Sequence, residues 1–160
     1  MPGPDDQTPP DLSAVDALAQ LSFVVQGKLE RRASAAGVSL SLTRLLGILR
    51  DRRPTMQELA GLMELDKSSV TGLVERAERR GFTVRTRSPR DGRSVLVELT
   101  DEGRAQVTQL ASEFEGDVEG LLHALPRADR AELRTLAERL LTAHAGALGI
   151  DLLAPERPRR

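Results

Sequence analysis

Thr55–Thr100 reads TMQELAGLMELDKSSVTGLVERAERRGFTVRTRSPRDGRSVLVELT, two short amphipathic segments followed by two short alternating ones. The first segment opens with a capping-box pattern, because Thr55 and Glu58 can each accept the other's backbone N–H. Asp66 is a favourable N-cap for the second segment, and Gly81 follows its end, where a left-handed residue is favoured. The pattern predicts two helices joined by a tight turn, with these apolar positions facing inward: Leu59, Leu62, Met63, Val70, Leu73, Val74 and Ala77.

The outer face of the second helix carries small hydroxylated residues near its start and arginine further along. Ser and Thr can approach base edges or phosphates closely, and Arg can bind guanine O6 and N7 with two hydrogen bonds. For such a helix taken alone, an ordinary solvated face is the more common explanation. The candidate recognition-helix residues are Lys67, Ser68, Ser69, Thr71, Gly72 and Arg76, and Thr55 is a candidate phosphate contact.

The two alternating segments, 83–87 and 95–99, flank a turn with Pro89 and Gly92, which predicts a β-hairpin. A basic hairpin beside a recognition helix is typical of a wing that follows phosphates or enters the minor groove. The candidate wing contacts are Arg87, Arg90 and Arg93, while Asp91 and Gly92 are predicted to shape the tip. Together the four segments predict a winged helix-turn-helix.

These segments resemble the MarR-type transcriptional regulators. The resemblance lies in Asp91-Gly92-Arg93-Ser94, in 95–103 with its Leu-Thr-x-x-Gly pattern, and in helix positions between Leu59 and Gly81. It implies a homodimer, interlocked through its first and last two helices, that binds double-stranded DNA. Its recognition helices would enter successive major grooves, about 34–36 Å apart on a pseudo-palindrome. Repression is the default expectation, because a protein bound near a promoter blocks polymerase.

The resemblance also implies roles for single residues. Ser68, Ser69, Thr71, Gly72 and Arg76 match the family's recognition-helix positions, although other members carry a longer side chain where this chain has Gly72. A small anionic or phenolic ligand is implied between the long helices and the winged lobe, where its binding would shift the spacing of the recognition helices. The residues assigned to that pocket by position alone are Phe23, Gln26, Arg44, Ile48 and Phe114.

Charge is distributed unevenly along the chain. The whole sequence of 160 residues has a net charge of −1, which by itself does not indicate a nucleic-acid partner. Residues 66–94, however, hold eight Lys/Arg against four acids, a balance of +4, and residues 100–141 hold five Arg against nine acids, a balance of −4. A basic lobe beside an acidic one favours local binding of phosphate.

Several other classes of function receive little support. The absence of cysteine excludes disulfides and cysteine-ligated metal. No long apolar run or signal-peptide pattern occurs, so we expect a cytoplasmic protein with no membrane partner. His123 and His144 lie in no catalytic motif, so we expect no enzyme, no cofactor and no metal site. A winged-helix module for protein interaction stays open, as does, more weakly, a metal sensor using the histidines with Glu113, Glu115, Asp117 and Glu119.

The remaining sequence predicts a helical platform around the lobe. Apolar stripes run through 11–36 and from 100 to 141, and they exceed what one small winged lobe can cover. We therefore expect a second copy of the chain to cover them. The predicted fold class is mainly α with a small β-hairpin wing. Its predicted parts are a flexible arm (1–10), a dimerisation region (11–37 and 100–148), a winged helix-turn-helix lobe (38–99) and a flexible tail (149–160).

Overall fold

The computed structural model describes residues 12–89 and 94–148. Along the described chain the elements are α1 (Ala14–Ala35), α2 (Leu40–Asp51), α3 (Met56–Met63), α4 (Lys67–Arg79), β1 (Thr83–Arg87), β2 (Val95–Leu99), α5 (Asp101–Leu122) and α6 (Arg127–Leu148). The mainly helical fold with a hairpin wing is therefore confirmed. The predicted arm at 1–10, the predicted tail at 149–160, and the wing-tip residues Arg90, Asp91, Gly92 and Arg93 lie outside the described residues.

Local capping sets where the helices of the lobe begin. Ser39, Thr55, Asp66 and Thr100 each accept a backbone N–H from the first turn of α2, α3, α4 and α5. At Thr55 the complete predicted capping box is present. These caps satisfy backbone donors that have no partner inside a helix, which explains why the observed starts lie close to the predicted ones.

The joint between α3 and α4 is a tight left-handed turn. Glu64 adopts φ 55° and ψ 41°, and the N–H of Leu65 donates to the carbonyl of Ala60 at 3.0 Å. Gly81 has φ 74° just after α4, as predicted for its position. The turn at Glu64 leads from α3 into α4, and the turn at Gly81 leads from α4 into the hairpin.

The core lies inside the winged lobe and under the first half of α5. The largest fully buried side chains come from α2, α3, α4 and β2, namely Leu45, Leu46, Leu59, Leu73, Val70, Val74 and Val97. Every predicted inward position of α4 is buried, whereas Leu62 of α3 is only half-buried. Because these residues of α4 are buried on one face, the opposite face of the helix points toward solvent.

The hairpin is antiparallel, with a register that runs from Thr83 opposite Leu99 to Arg87 opposite Val95. A short third segment also pairs with β2, since Thr55 bridges to Leu96 and the N–H of Val97 donates to the carbonyl of Pro54 at 2.9 Å. This pairing ties the wing to the start of α3.

The start of α5 packs tightly on the corner between α4 and β1. A Cβ placed on Gly103 would stand 1.9 Å from the carbonyl oxygen of Phe82, so only glycine permits this approach. The N–H of Thr100 donates to the same oxygen at 3.0 Å. Both contacts set the direction in which α5 leaves the lobe.

An ion pair joins α1 to α5. Nε of Arg32 lies 2.7 Å from one carboxylate oxygen of Asp117, and Nη2 lies 2.8 Å from the other. Glu113 lies farther away, at 3.5 Å. The hydrogen bonds from Arg32 lower the pKa of Asp117. Two carboxylates from the acidic run of α5 are thus engaged with an arginine.

Much of α1 and α6 remains exposed in the single chain. The predicted apolar stripe at the start of the chain includes Leu12, 53% exposed, just before α1, and Val15 and Leu18 within α1, 75% and 54% exposed. On α6, Leu136 and Leu140 are 45% and 57% exposed, and no side chain between Arg127 and His144 is buried. None of the described helices is long and apolar enough to span a membrane.

Candidate nucleic-acid interface

The predicted recognition residues lie together on the side of α4 that faces away from the core. Lys67, Ser68, Ser69 and Arg76 are exposed, and Thr71 and Gly72 are half-exposed. The buried residues of α4 occupy the opposite face. The structure therefore presents one continuous polar surface along the helix, which we call the α4 outer face and define by the six predicted residues, 67–69, 71, 72 and 76.

The hydroxyl groups on the α4 outer face donate their protons within the helix. Ser68 and Ser69 each donate to the carboxylate of Asp66, the latter at 2.6 Å, and Thr71 donates to the carbonyl of Lys67 at 2.8 Å. The serine hydroxyls, followed by the backbone N–H of Ser69, lower the pKa of Asp66. The three hydroxyls can still accept a hydrogen bond from a base, but in this arrangement they have no proton for a phosphate.

Several cations of α4 and the hairpin form no ion pair with a described residue. Among the described residues, no ion pair forms at Lys67, Arg76, Arg79 or Arg87. Arg85, by contrast, pairs with Glu78 at 3.2 Å. Arg80 donates to the carbonyl of Gly37 at 2.7 Å and stacks 5.0 Å from the ring of Phe82. Some arginines here thus stabilise the fold through contacts within the chain, whereas others remain available to a binding partner.

Thr55 has less capacity for a phosphate contact than its position predicts. Its N–H donates to the carboxylate of Glu58 at 2.7 Å, and its hydroxyl donates to the same oxygen at 2.8 Å. The half-buried residue also bridges to Leu96. Both donors of Thr55 are therefore occupied while the capping box is closed.

An open cleft of about 360 Å³ lies beside the α4 outer face. It is lined by Ser41 of α2, Leu65 of the α3–α4 turn, and Ser68, Ser69, Gly72, Leu73 and Arg76 of α4. Ser41 and Leu65 were not predicted as site residues. No periodicity or motif marks Ser41, because it reaches this cleft only through the packing of α2 on α4.

The predicted ligand residues occupy different environments. Phe23 is 65% exposed, and Gln26 and Arg44 are also exposed. Ile48 packs against the core, and Phe114 is half-buried. None of the five lines the cleft beside α4, so their assignment to a ligand pocket stays a prediction.

The metal-sensor alternative gains nothing from the described geometry. Across 12–89 and 94–148, no group of three or more His, Asp or Glu side chains is arranged to hold a metal ion. Glu113 and Asp117, two of the acids considered for that role, bind Arg32.

An outward-facing second helix and an adjoining hairpin on one small core define a winged helix-turn-helix protein. The model of the MarR family matches residues 38–95, which cover α2, α3, α4, β1 and the start of β2. Residues 38–95 therefore form a MarR-type domain, in agreement with the predicted resemblance.

This chain is similar to individual relatives in sequence and to individual solved structures in fold. The transcriptional repressor YetL of Bacillus subtilis is 31% identical over 98 residues, which cover 61% of this chain and 58% of YetL. The solved structure of apo MarR from E. coli is 23% identical, with a TM-score of 0.68 over 81% of this chain and 98% of that one. NadR, solved in complex with 4-hydroxyphenylacetate, is 22% identical, with a TM-score of 0.68 over 88% and 97%. The chain spans little more than half the length of the curated relatives it matches.

Proposed function

We propose that this protein is a sequence-specific regulator of transcription that binds double-stranded DNA and acts as a repressor. The observation that carries the proposal is the α4 outer face, where Lys67 and Arg76 are exposed and unpaired among the described residues. The match of residues 38–95 to the MarR family model and the likeness to a protein named as a repressor support the same function.

In this proposal the lobe 38–99 binds DNA through two elements. The α4 outer face enters the major groove, where the guanidinium of Arg76 reads a guanine and Lys67 contacts phosphate. Ser68 and Ser69 accept hydrogen bonds from base amino groups, since their own protons are bound to Asp66. Arg87 contacts phosphate from the wing, and we assign the same role to Arg90 and Arg93, with Asp91 and Gly92 shaping the tip.

The protein acts as a homodimer in this proposal. An isolated helix in water is marginal below about 12–15 residues even with favourable sequences, and longer ones still depend on packing of an apolar face. Within the described single chain, no side chain of α6 from Arg127 to His144 is buried, and Leu136, Leu140 and Leu141 are exposed. A second copy would cover α6 together with the exposed stripe of α1, so that 11–37 and 100–148 form the dimer interface. Two-fold symmetry would then pair two recognition helices on a pseudo-palindrome.

We also propose that a small anionic or phenolic ligand relieves repression. NadR, a protein of the same fold, was solved with 4-hydroxyphenylacetate. For this chain the proposal requires that the ligand bind more tightly to the DNA-free state than to the DNA-bound state. Titration of the protein–DNA complex with 4-hydroxyphenylacetate and related phenolic acids tests this, and release of DNA at saturating ligand is the expected result.

The decisive experiment is fluorescence anisotropy with the duplex that flanks the protein's own gene and with a scrambled duplex, repeated over a range of salt. We expect binding to the native duplex at least about a hundredfold tighter than to the scrambled one, within the range typical of specific recognition. Weak binding to both duplexes, followed by failure of a random-site selection, would favour the alternative, a winged-helix module for protein interaction.

A further inference from the structure

Base reading by the α4 outer face depends on very few hydrogen-bond donors. Ser68, Ser69 and Thr71 donate within the helix, so Lys67 and Arg76 are the remaining side-chain donors of this face. Lysine offers a compact point charge, whereas the planar fork of arginine can bind two acceptors of one base. The position of the Arg76 guanidinium therefore governs which pair of base acceptors this face can read.

Arg76 lies over Gly72. A Cβ placed on Gly72 would stand 3.5 Å from Nη1 of Arg76, which is an ordinary van der Waals distance. Residues four apart share one face of a helix, and long helical side chains lean toward the N-terminus. The guanidinium accordingly lies along the preceding turn, where Gly72, Arg76 and Ser69 line the same open cleft.

The backbone does not require glycine at position 72. Positive φ occurs among the described glycines only at Gly37 and Gly81. A Cβ at 72 would meet nothing closer than Arg76, unlike at Gly103, where it would collide with a carbonyl oxygen. Glycine inside a helix also lowers stability relative to alanine. Outside the backbone of α4 and the two chain neighbours, Nη1 of Arg76 is the only described atom within 4 Å of a Cβ at 72.

We propose that Gly72 is a specificity-determining residue, which acts by leaving free the space in which the Arg76 guanidinium lies for a guanine edge. The inference rests on the proposed DNA-binding function. A long side chain at 72 would occupy this space and displace the guanidinium from the preceding turn. Alanine would not displace it, since a Cβ fits at ordinary contact distance.

The test uses the preferred duplex of the wild-type chain, obtained by random-site selection, and a panel with every single base-pair change in one half-site. Anisotropy is measured for the wild type, Gly72→Ala, Gly72→Gln, Arg76→Ala and the double variant Gly72→Gln/Arg76→Ala. The matched control is Gly61→Gln on α3, where no atom lies within 4 Å of the added Cβ.

We expect the wild type to prefer one G·C pair per half-site by a factor on the order of 10 to 100, the discrimination typical of a bidentate arginine. Gly72→Gln and Arg76→Ala should each reduce that preference to below about threefold, with no further loss in the double variant, because both changes remove one contact. Gly72→Ala and Gly61→Gln should keep the preference. The thermal midpoint of Gly72→Gln should equal or exceed that of the wild type, since glutamine favours a helix more than glycine does.

The outcomes separate the inference from the function on which it rests. A selective wild type with an equally selective Gly72→Gln variant overturns the inference alone. So does a change of preference at a different base pair, or a double variant whose losses add. A wild type that binds all duplexes equally overturns the proposed function and the inference with it.

Discussion

At the N-terminus of α4, one carboxylate holds the first turn of the helix together. Asp66 accepts the hydroxyls and the backbone N–H groups of both Ser68 and Ser69, and these hydrogen bonds lower its pKa. Because the pKa is lower in the folded state than in the unfolded state, the stabilisation is complete above about pH 4 and is lost as the pH falls below that value.

We therefore expect Asp66→Ala to lower the thermal midpoint at neutral pH, and the deficit relative to the wild type to shrink as the pH falls toward about 2. Thermal unfolding followed by circular dichroism across pH measures this. Asp66→Asn serves as the control, because asparagine is an equally good N-cap that does not titrate. A deficit that stays constant across this range of pH would contradict the assignment.

Arg87 provides the residue-scale test of the wing. It is exposed and forms no ion pair with a described residue, so its loss should not disturb the fold. If Arg87 contacts phosphate, Arg87→Ala weakens binding uniformly across sequences and reduces the salt slope by about one. The same result is expected for Arg93→Ala, from the sequence alone.

The matched comparison is Arg76→Ala, which should instead relax the preference at one base pair in each half-site, at a cost of about 1–3 kcal/mol. Anisotropy over salt with the preferred duplex and its variants distinguishes the two patterns. Unchanged affinity and slope for both wing variants would remove the wing from the proposed mechanism. A uniform loss of affinity in Arg76→Ala would make Arg76 a phosphate contact.

At the scale of elements, the critical contact is the close approach of α5 to the α4–β1 corner. In Gly103→Ala, the new Cβ would lie 1.9 Å from the carbonyl oxygen of Phe82, so α5 must shift. We expect a loss of about 1–3 kcal/mol in the free energy of unfolding, as is typical when an extra methyl group enters a close-packed site. Urea unfolding measures this change.

Gly116→Ala is the control within the same helix, because no atom lies within 4 Å of its Cβ. It should stabilise the protein by about 0.5–1 kcal/mol, the usual gain from replacing glycine inside a helix. Equal stability of the two variants would show that α5 can move away from Phe82 at no cost.

At the scale of the whole molecule, the exposed leucines of α6 provide a test of the proposed homodimer. Leu136 and Leu140 are 45% and 57% exposed in the single chain. If a second copy buries them, the double variant Leu136→Glu/Leu140→Glu places charges in that interface and yields a monomer. Sedimentation velocity measures the change. Val84→Glu, which replaces a 43% exposed apolar residue on the wing, should leave the dimer intact. A wild type that sediments as a monomer at all concentrations would contradict the proposed assembly.

Local signals in the sequence were sufficient to predict most of the elements. Both strands have their predicted limits, 83–87 and 95–99, because alternation and turn residues are local properties. The caps at Thr55 and Asp66 were likewise predicted from short patterns. The six predicted recognition residues do lie on the side of α4 opposite its buried residues, because helical periodicity alone assigns them to that side.

Contacts between distant segments could be found only in the folded chain. Arg32 and Asp117 are 85 positions apart, and no pattern within either helix predicts their ion pair. The approach of Gly103 to Phe82, the bridge from Thr55 to Leu96, and the cleft between Ser41 and α4 also depend on how elements dock. Periodicity and capping act over one or two turns of backbone, so they depend only on residues that are close in the sequence. The docking of two elements instead depends on the shapes of both surfaces, so the contacts between them can be identified only in the folded structure.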